Sequence, residues 1–213
     1  MRRTGAFAIA AILLLGGAGC DAMPRDPEKT LESVRGGTMD VGVTENPPWV
    51  RRGAGGEAVG VEPALVRELA GALGAEIDWV WGNSEEHLDA LKRFELDLVI
   101  GGITQDTPWR HHVGFARPWV EMPWVVALPP GHPRIESIEG IPVGWSTSPA
   151  IAAILAERGA TPVEIADPAA FDGPVAVPLW WVESRGWTHS GIVLRRAKHT
   201  VGLPPGENRW IMT

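Results

Sequence analysis

The chain has 213 residues, 45% of them hydrophobic and 21% charged, enough for one large domain or two small lobes with a buried core. A formal charge of −7 argues against a nucleic-acid binder, which needs a basic surface to displace counterions from phosphates. A single cysteine excludes an internal disulfide framework and the usual thiolate zinc sites, and the aromatic set is eleven Trp and four Phe with no Tyr.

Arg2 and Arg3 precede an apolar run from Ala6 to Leu15, which ends in Gly16-Gly17-Ala18-Gly19-Cys20. Ten apolar residues make about 15 Å of helix, half a bilayer core, so the segment reads as a secretory leader over residues 1–19 rather than a membrane span. Its Ala18-Gly19-Cys20 end resembles a bacterial lipoprotein signal, in which the cysteine is lipidated and becomes the new N-terminus. A plain leader with a chance cysteine is the alternative. Loss of residues 1–19 removes two arginines and no acid, which takes the charge from −7 to −9. Residues 20–36, with Pro24 and Pro27, read as a polar tether.

Beyond the tether the pattern alternates. Met39 to Thr44 reads as a strand, and Glu62 to Leu73 as a helix with Glu62 as its cap, Pro63 in its first turn and Leu65, Val66, Leu69 and Leu73 on one face. Glu76 to Trp81 is a second strand, Ser84 to Phe94 a second helix begun by Asn83 or Ser84, and Asp97 to Gly101 a third strand. Short connections between them predict a parallel sheet covered by helices, with ligands gathering at the carboxyl ends of its strands. After Trp124–Leu128 and a Pro/Gly break come a strand over Ile141–Trp145, a helix over Ala150–Arg158, and strands over Pro162–Ala166 and Val175–Val182. Lys198–Leu203 reads as a return strand, and Pro204–Asn208 as a helix opening. The architecture expected is α/β and two-lobed: lobe 1 over 37–122, lobe 2 over 123–200, and a short return segment over 201–213.

The chemistry concentrates between Gly101 and Trp119. Gly101 and Gly102 let backbone approach a ligand, Thr104 offers a hydroxyl and an amide, and Arg110 follows a helix start at Thr107-Pro108. A guanidinium beside N–H groups at the rim of a parallel sheet suits a carboxylate; a surface arginine on a short helix is the simpler reading. Adjacent His111 and His112 do not share a helix face and have no ligand-spaced carboxylate or thiol, so no metal site is expected, and no cofactor motif is present. Trp180 and Trp181, on a strand, would face opposite sides, one toward a cleft and one into the core.

Pro47-Pro48-Trp49, Gly60-Val61-Glu62, Asp97-Leu98, Gly102-Ile103-Thr104, Arg110 and Phe115-Ala116-Arg117-Pro118-Trp119 occur in that order over about eighty residues. In this the chain resembles the periplasmic amino-acid-binding proteins of ABC transporters, the family 3 extracellular solute-binding proteins. The resemblance implies a type II periplasmic-binding-protein fold with a ligand cleft between lobes, Pro118–Pro123 as the first hinge, and Thr104 and Arg110 as holders of a ligand carboxylate. Against the family pattern the C-terminal region is short, as in a shortened member or a truncated chain.

Two positions depart from the family pattern. Asn46 stands where an aromatic usually stacks on the ligand, and the stretch from Gly173 to Trp181 lacks the acid that pairs with a ligand ammonium. The candidate ligand-binding set is therefore Arg110, Thr104, Gly102, Glu45, Asn46, Trp49, Ser146 and Thr147, the last two as a helix start able to grip an anion. The function expected is capture of a small carboxylate-bearing solute, an amino acid or related organic acid. The protein would be a monomeric, lipid-anchored component outside the cytoplasm that docks on an ABC permease. Two alternatives remain on the same fold: a dehydratase acting on a cyclic carboxylic acid, with Glu45, Glu183 or His189 as proton donor, and a binding protein that reports to a separate sensor.

Overall fold

The computed structural model describes residues 27–213; the leader, Cys20 and the first part of the tether lie outside that range. In chain order its elements are α1 (Thr30–Val34), β1 (Thr38–Val43), β2 (Arg51–Arg52), β3 (Ala58–Val59), α2 (Val61–Leu73), β4 (Glu76–Trp81), α3 (Ser84–Lys92) and β5 (Leu98–Ile100). There follow β6 (Gly114–Phe115), β7 (Val120–Leu128), β8 (Pro142–Trp145), α4 (Pro149–Glu157), β9 (Thr161–Glu164), β10 (Val175–Pro178), α5 (Leu179–Arg185), β11 (Thr188–His199), β12 (Gly202–Leu203) and α6 (Asn208–Ile211).

Two five-stranded sheets organise the chain. The first runs β4-β1-β5-β12-β6, with β1 parallel to both β4 and β5 and β12 antiparallel to its neighbours. The second runs β11-β7-β10-β8-β9, with β8 parallel to β9 and β10 and the long β7 antiparallel to β10 and β11. Each sheet has its own apolar core. Met39, Val41, Val43, Leu98 and Ile100 pack under α2 in the first, and Val126 and Val143 pack under Ile151 and Leu155 of α4 in the second. The chain leaves the first sheet at Trp119 and comes back at His199, where the Trp119 N–H donates to the His199 carbonyl at 3.0 Å. The two lobes are therefore joined by two crossing segments that lie side by side.

Local chemistry explains most of the elements. Asn83 caps α3, its side chain accepting the Glu86 N–H at 2.9 Å, and Gly74 ends α2 in the left-handed region at φ 64°. The expected cap of α2 is different: Gly60 stands at that position, and the Glu62 carboxylate is wholly buried and turned to the loop after β5. The inward face of α2 is Pro63, Val66, Ala70 and Leu73, while Leu65 is 38% exposed. The strand expected over 175–182 stops at Pro178, and Leu179 begins a helix; a short apolar run carries no periodicity that separates the two, and a proline without an N–H suits the residue before a first turn.

The end of the tether is structured too. Leu31 and Val34 of α1 are buried in the first core, and Thr30 and Glu28 donate their N–H groups to the buried Glu207 carboxylate at 3.2 and 2.8 Å. Trp210, in α6, is buried beside them and donates its indole N–H to the Asp97 carbonyl at 2.7 Å. Among the described residues no helix is long and apolar enough to cross a membrane.

Candidate functional site

A cleft of 570 Å³ lies where the two sheets meet. On the side of the first sheet it is lined by Asn46, Pro47 and Trp49, which follow β1, and by Gly102 and Thr104, which follow β5. These are the carboxyl ends of parallel strands, where an open α/β sheet leaves its crevice. The second sheet contributes Ser146, Thr147 and Ser148 after β8, Asp167 after β9, and Pro178, Trp180, Trp181 and Arg185 around the start of α5. The crossing strands form the floor, with Trp124 from β7 and Arg195, Ala197 and His199 from β11.

The turn after β5 is tightly constrained. Gly101 and Gly102 adopt φ of 149° and 73°, and a Cβ on Gly102 would sit 2.4 Å from Asn46 Nδ2 and 2.7 Å from Trp49 Cδ1. Asn46 donates its side-chain N–H to the Gly101 carbonyl at 2.9 Å. Both glycine N–H groups donate to one oxygen of Glu62, at 2.8 and 2.9 Å. The backbone amides expected to meet a ligand at Gly101–Gly102 are thus already engaged, and Glu62 Oε1 is buried with no hydrogen-bond partner among the described residues. Burial pushes the Glu62 pKa up to about 7, against the lowering effect of the two glycine N–H groups.

The cations of the cleft differ from the sequence expectation. Arg110 is exposed on a 3₁₀ turn over Pro108–His111 and lines a separate depression of 310 Å³ with Gln105, Asp106, Arg196 and Lys198. The turns from Thr104 to Thr107 and from Thr107 to Arg110 carry it around the outside of the crossing strands. Arg195 and Arg185 line the cleft instead. Strand alternation accounts for this: Arg195, Ala197 and His199 share the face toward the cleft, while Arg196 and Lys198 face the outer depression with Arg110. Arg195 pairs with Asp106 at 3.0 Å, and the Thr104 hydroxyl donates to the same carboxylate. Arg185 lies over the Trp181 ring, 4.8 Å from its centroid.

Of the other expected site residues, Gly102, Thr104, Asn46, Trp49, Ser146 and Thr147 do line the cleft. Glu45 does not: it is exposed, and its carboxylate accepts the Arg52 N–H at 3.3 Å. Glu183 and His189, named as proton donors in the dehydratase alternative, are exposed and are also outside the cleft lining. The sequence reading missed Trp124, Asp167, Arg185, Arg195 and His199. The period of two in Arg195-Arg196-Ala197-Lys198-His199 was the available signal for part of this set. Trp180 and Trp181 both reach the cleft because they lie on a helix rather than a strand. Trp181 is also buried, with its ring edge-on to Trp187 at 5.0 Å.

His199 is 5% exposed, with its ring 4.3 Å from that of Trp49, and its Nδ1 is buried without a hydrogen-bond partner among the described residues. Burial first, and the Arg195 charge second, lower its pKa to about 4, with Asp106 opposing, so the imidazole is neutral near pH 7.

The fold matches solved binding proteins at low sequence identity. An ancestral cationic amino acid solute-binding protein superposes with a TM-score of 0.68 at 16% identity, over 86% of this chain and 92% of that one. The GluR0 ligand-binding core in complex with L-glutamate gives 0.62 at 18%, over 82% and 90%. The arginine-bound form of truncated ArgBP from T. maritima gives 0.59 at 19%, over 85% and 94%. No curated protein matches the chain in sequence. Residues 39–209, which hold both sheets and the cleft, match one sequence family throughout, and the chain belongs to the bacterial extracellular solute-binding proteins, family 3.

Proposed function

We propose that the protein captures a small carboxylate-bearing solute outside the cytoplasm and delivers it to an ABC permease. The observation that carries this reading is Arg195. It projects into the cleft between the lobes from a crossing strand, half-buried, and is oriented by Asp106 at 3.0 Å. A guanidinium held in that way presents its remaining N–H donors to an anion without the entropy cost of ordering a free side chain. The Ser146–Ser148 turn faces it from the second lobe at the start of α4 and adds hydroxyl and amide donors. Closure of the lobes would desolvate the ligand and present a closed surface to the permease. No bond is made or broken. The solved relatives were determined with arginine or L-glutamate bound, or are named for cationic amino acids, which supports an amino acid or a related organic acid as the ligand class. Cys20, at the end of the leader, would carry the lipid that anchors the protein to the membrane.

The test is a thermal-shift and calorimetric screen of small acids against the corresponding amides. Tight binders raise the melting temperature and their amides do not. Arg195→Ala abolishes the shift, whereas Arg110→Ala, outside the cleft, leaves it. A shift that persists in Arg195→Ala, or the absence of any acid that binds, overturns the reading.

A further inference from the structure

The charge pattern of the cleft narrows the ligand class further. An α-amino acid brings an ammonium as well as a carboxylate, and a desolvated ammonium needs an anionic partner to offset its lost hydration. Where β10 ends at the cleft, the chain presents Pro178, Leu179 and Trp180, with no acid. Asp167 is the one carboxylate among the described lining residues; it is exposed, and one of its oxygens already accepts the Ala169 N–H at 2.9 Å. Against it stand two guanidiniums, Arg185 and Arg195. Among the lining residues the guanidiniums outnumber the carboxylate, although Asp106, outside the lining, pairs with Arg195 at 3.0 Å, so Arg185 is the guanidinium of the cleft without a carboxylate partner among the described residues.

The walls point the same way. Trp124 and Trp180 are partly exposed and give the cleft flat surfaces, while Trp49 and Trp181 line it from the core; exposed rings of this kind favour a planar partner in stacked or edge-on contact. His199, packed against Trp49, brings a neutral imidazole whose Nδ1 has no partner among the described residues. Nδ1 itself is sealed from solvent, so only the small exposed part of the ring meets the cleft. A polar substituent on a ring, or a keto oxygen beside a carboxylate, would lie against that part. The volume of 570 Å³ suits a single-ring acid with a few waters.

Building on the carboxylate reading above, we propose that the cleft selects a planar aromatic acid that carries no ammonium group, its carboxylate on Arg195, its ring against Trp124 and Trp180, and its polar substituent toward His199.

The test is titration calorimetry on the purified protein with matched ligands. 3-Phenylpropanoate is L-phenylalanine without its ammonium, and phenylpyruvate adds a keto oxygen for His199. The expected order is phenylpyruvate, then 3-phenylpropanoate, then L-phenylalanine, with at least a tenfold gap before the last. Asp167→Asn removes the opposing charge and is expected to strengthen phenylpyruvate binding two- to threefold. Trp180→Leu weakens it tenfold or more with the ligand-free melting temperature held within a few degrees. Equal or tighter binding of L-phenylalanine or L-arginine overturns the proposal and leaves the carboxylate reading standing, as does tighter binding of L-glutamate or 2-oxoglutarate than of any aromatic acid. If no acid binds at all, both fall.

Discussion

Glu62 accepts the N–H of Gly102 at 2.9 Å from a side chain that is itself wholly buried, so a helix residue fixes the shape of a cleft turn forty positions away. The neighbouring Gly101 N–H, at 2.8 Å, goes to the same oxygen. Two donors favour the ionised carboxylate, yet burial outweighs them and pushes the pKa up to about 7 from an ordinary 4.5. A group shifted upward contributes stability that is complete below its unfolded pKa and is lost as pH rises through the folded one. Glu62 therefore costs stability between pH 4.5 and 8, of the order of 3 kcal/mol across the window. Glu62→Gln, which keeps the acceptor and cannot ionise, is expected to flatten the decline of melting temperature between pH 5 and 8. Parallel slopes for the two proteins by scanning calorimetry would show that Glu62 does not titrate there.

Two glycines separate a constrained turn from a permissive one. At Gly102 a Cβ meets Asn46 and Trp49 below 3.0 Å, and φ is 73°. Gly102→Ala is expected to cost about 2–4 kcal/mol and to weaken ligand binding as well, because Asn46 and Trp49 must shift. Gly71 is exposed inside α2, where an added methyl group would meet nothing within 4 Å. Gly71→Ala is expected to add up to about 1 kcal/mol through helix propensity. Urea melts of both variants check the contrast.

How far the sequence could be read follows from what each element depends on. α3 and β4 carry their own signals, an Asn83 cap and a short β-prone run over Glu76–Trp81 whose residues alternate between exposed and partly buried in the sheet, and they lie where the pattern predicts. β7 starts four residues before the expected Trp124–Leu128 stretch, and β11 runs over Thr188–His199 where only a return strand from Lys198 was expected, because much of their length is held by pairing with each other, from Thr188 with Leu128 to His199 with Val120, and that partnership leaves little trace in either segment alone. The cleft shows the same division. Asn46, Trp49, Gly102 and Thr104 were visible because they sit at strand ends of one sheet. Arg185 and Arg195 were not, because their position depends on Leu179 starting a helix and on the face that β11 turns to the first lobe.

The clamp between the two ends of the described chain can be measured directly. Glu207 is fully buried and accepts the N–H groups of Glu28 and Thr30. Glu207→Ala strands two donors at the start of α1 and opens a void beside Trp210. A loss of about 2–4 kcal/mol is expected, from unsatisfied donors and lost packing together. Hydrogen exchange should show the Glu28 and Thr30 amides among the first to lose protection. A melting temperature within one degree of the parent would show that this end is held by other contacts.

His199 gives the acid limb of stability the opposite sign to Glu62. Its pKa is pulled from 6.5 to about 4, chiefly by burial and then by Arg195. A group shifted downward contributes nothing extra at low pH when it is a base: the folded state resists the proton that the unfolded chain takes up, so stability is present above pH 6.5 and is lost as pH falls through 4. The charged groups facing the ring are Arg195 on its own strand and Asp106 from the loop after β5. His199→Gln removes the titration while retaining a polar group beside Trp49. The difference in stability between parent and variant, followed by urea melts from pH 7 to 4, is expected to move steadily in favour of the variant as the pH falls. A difference independent of pH would mean that the imidazole is protonated as readily in the folded protein as in the unfolded chain.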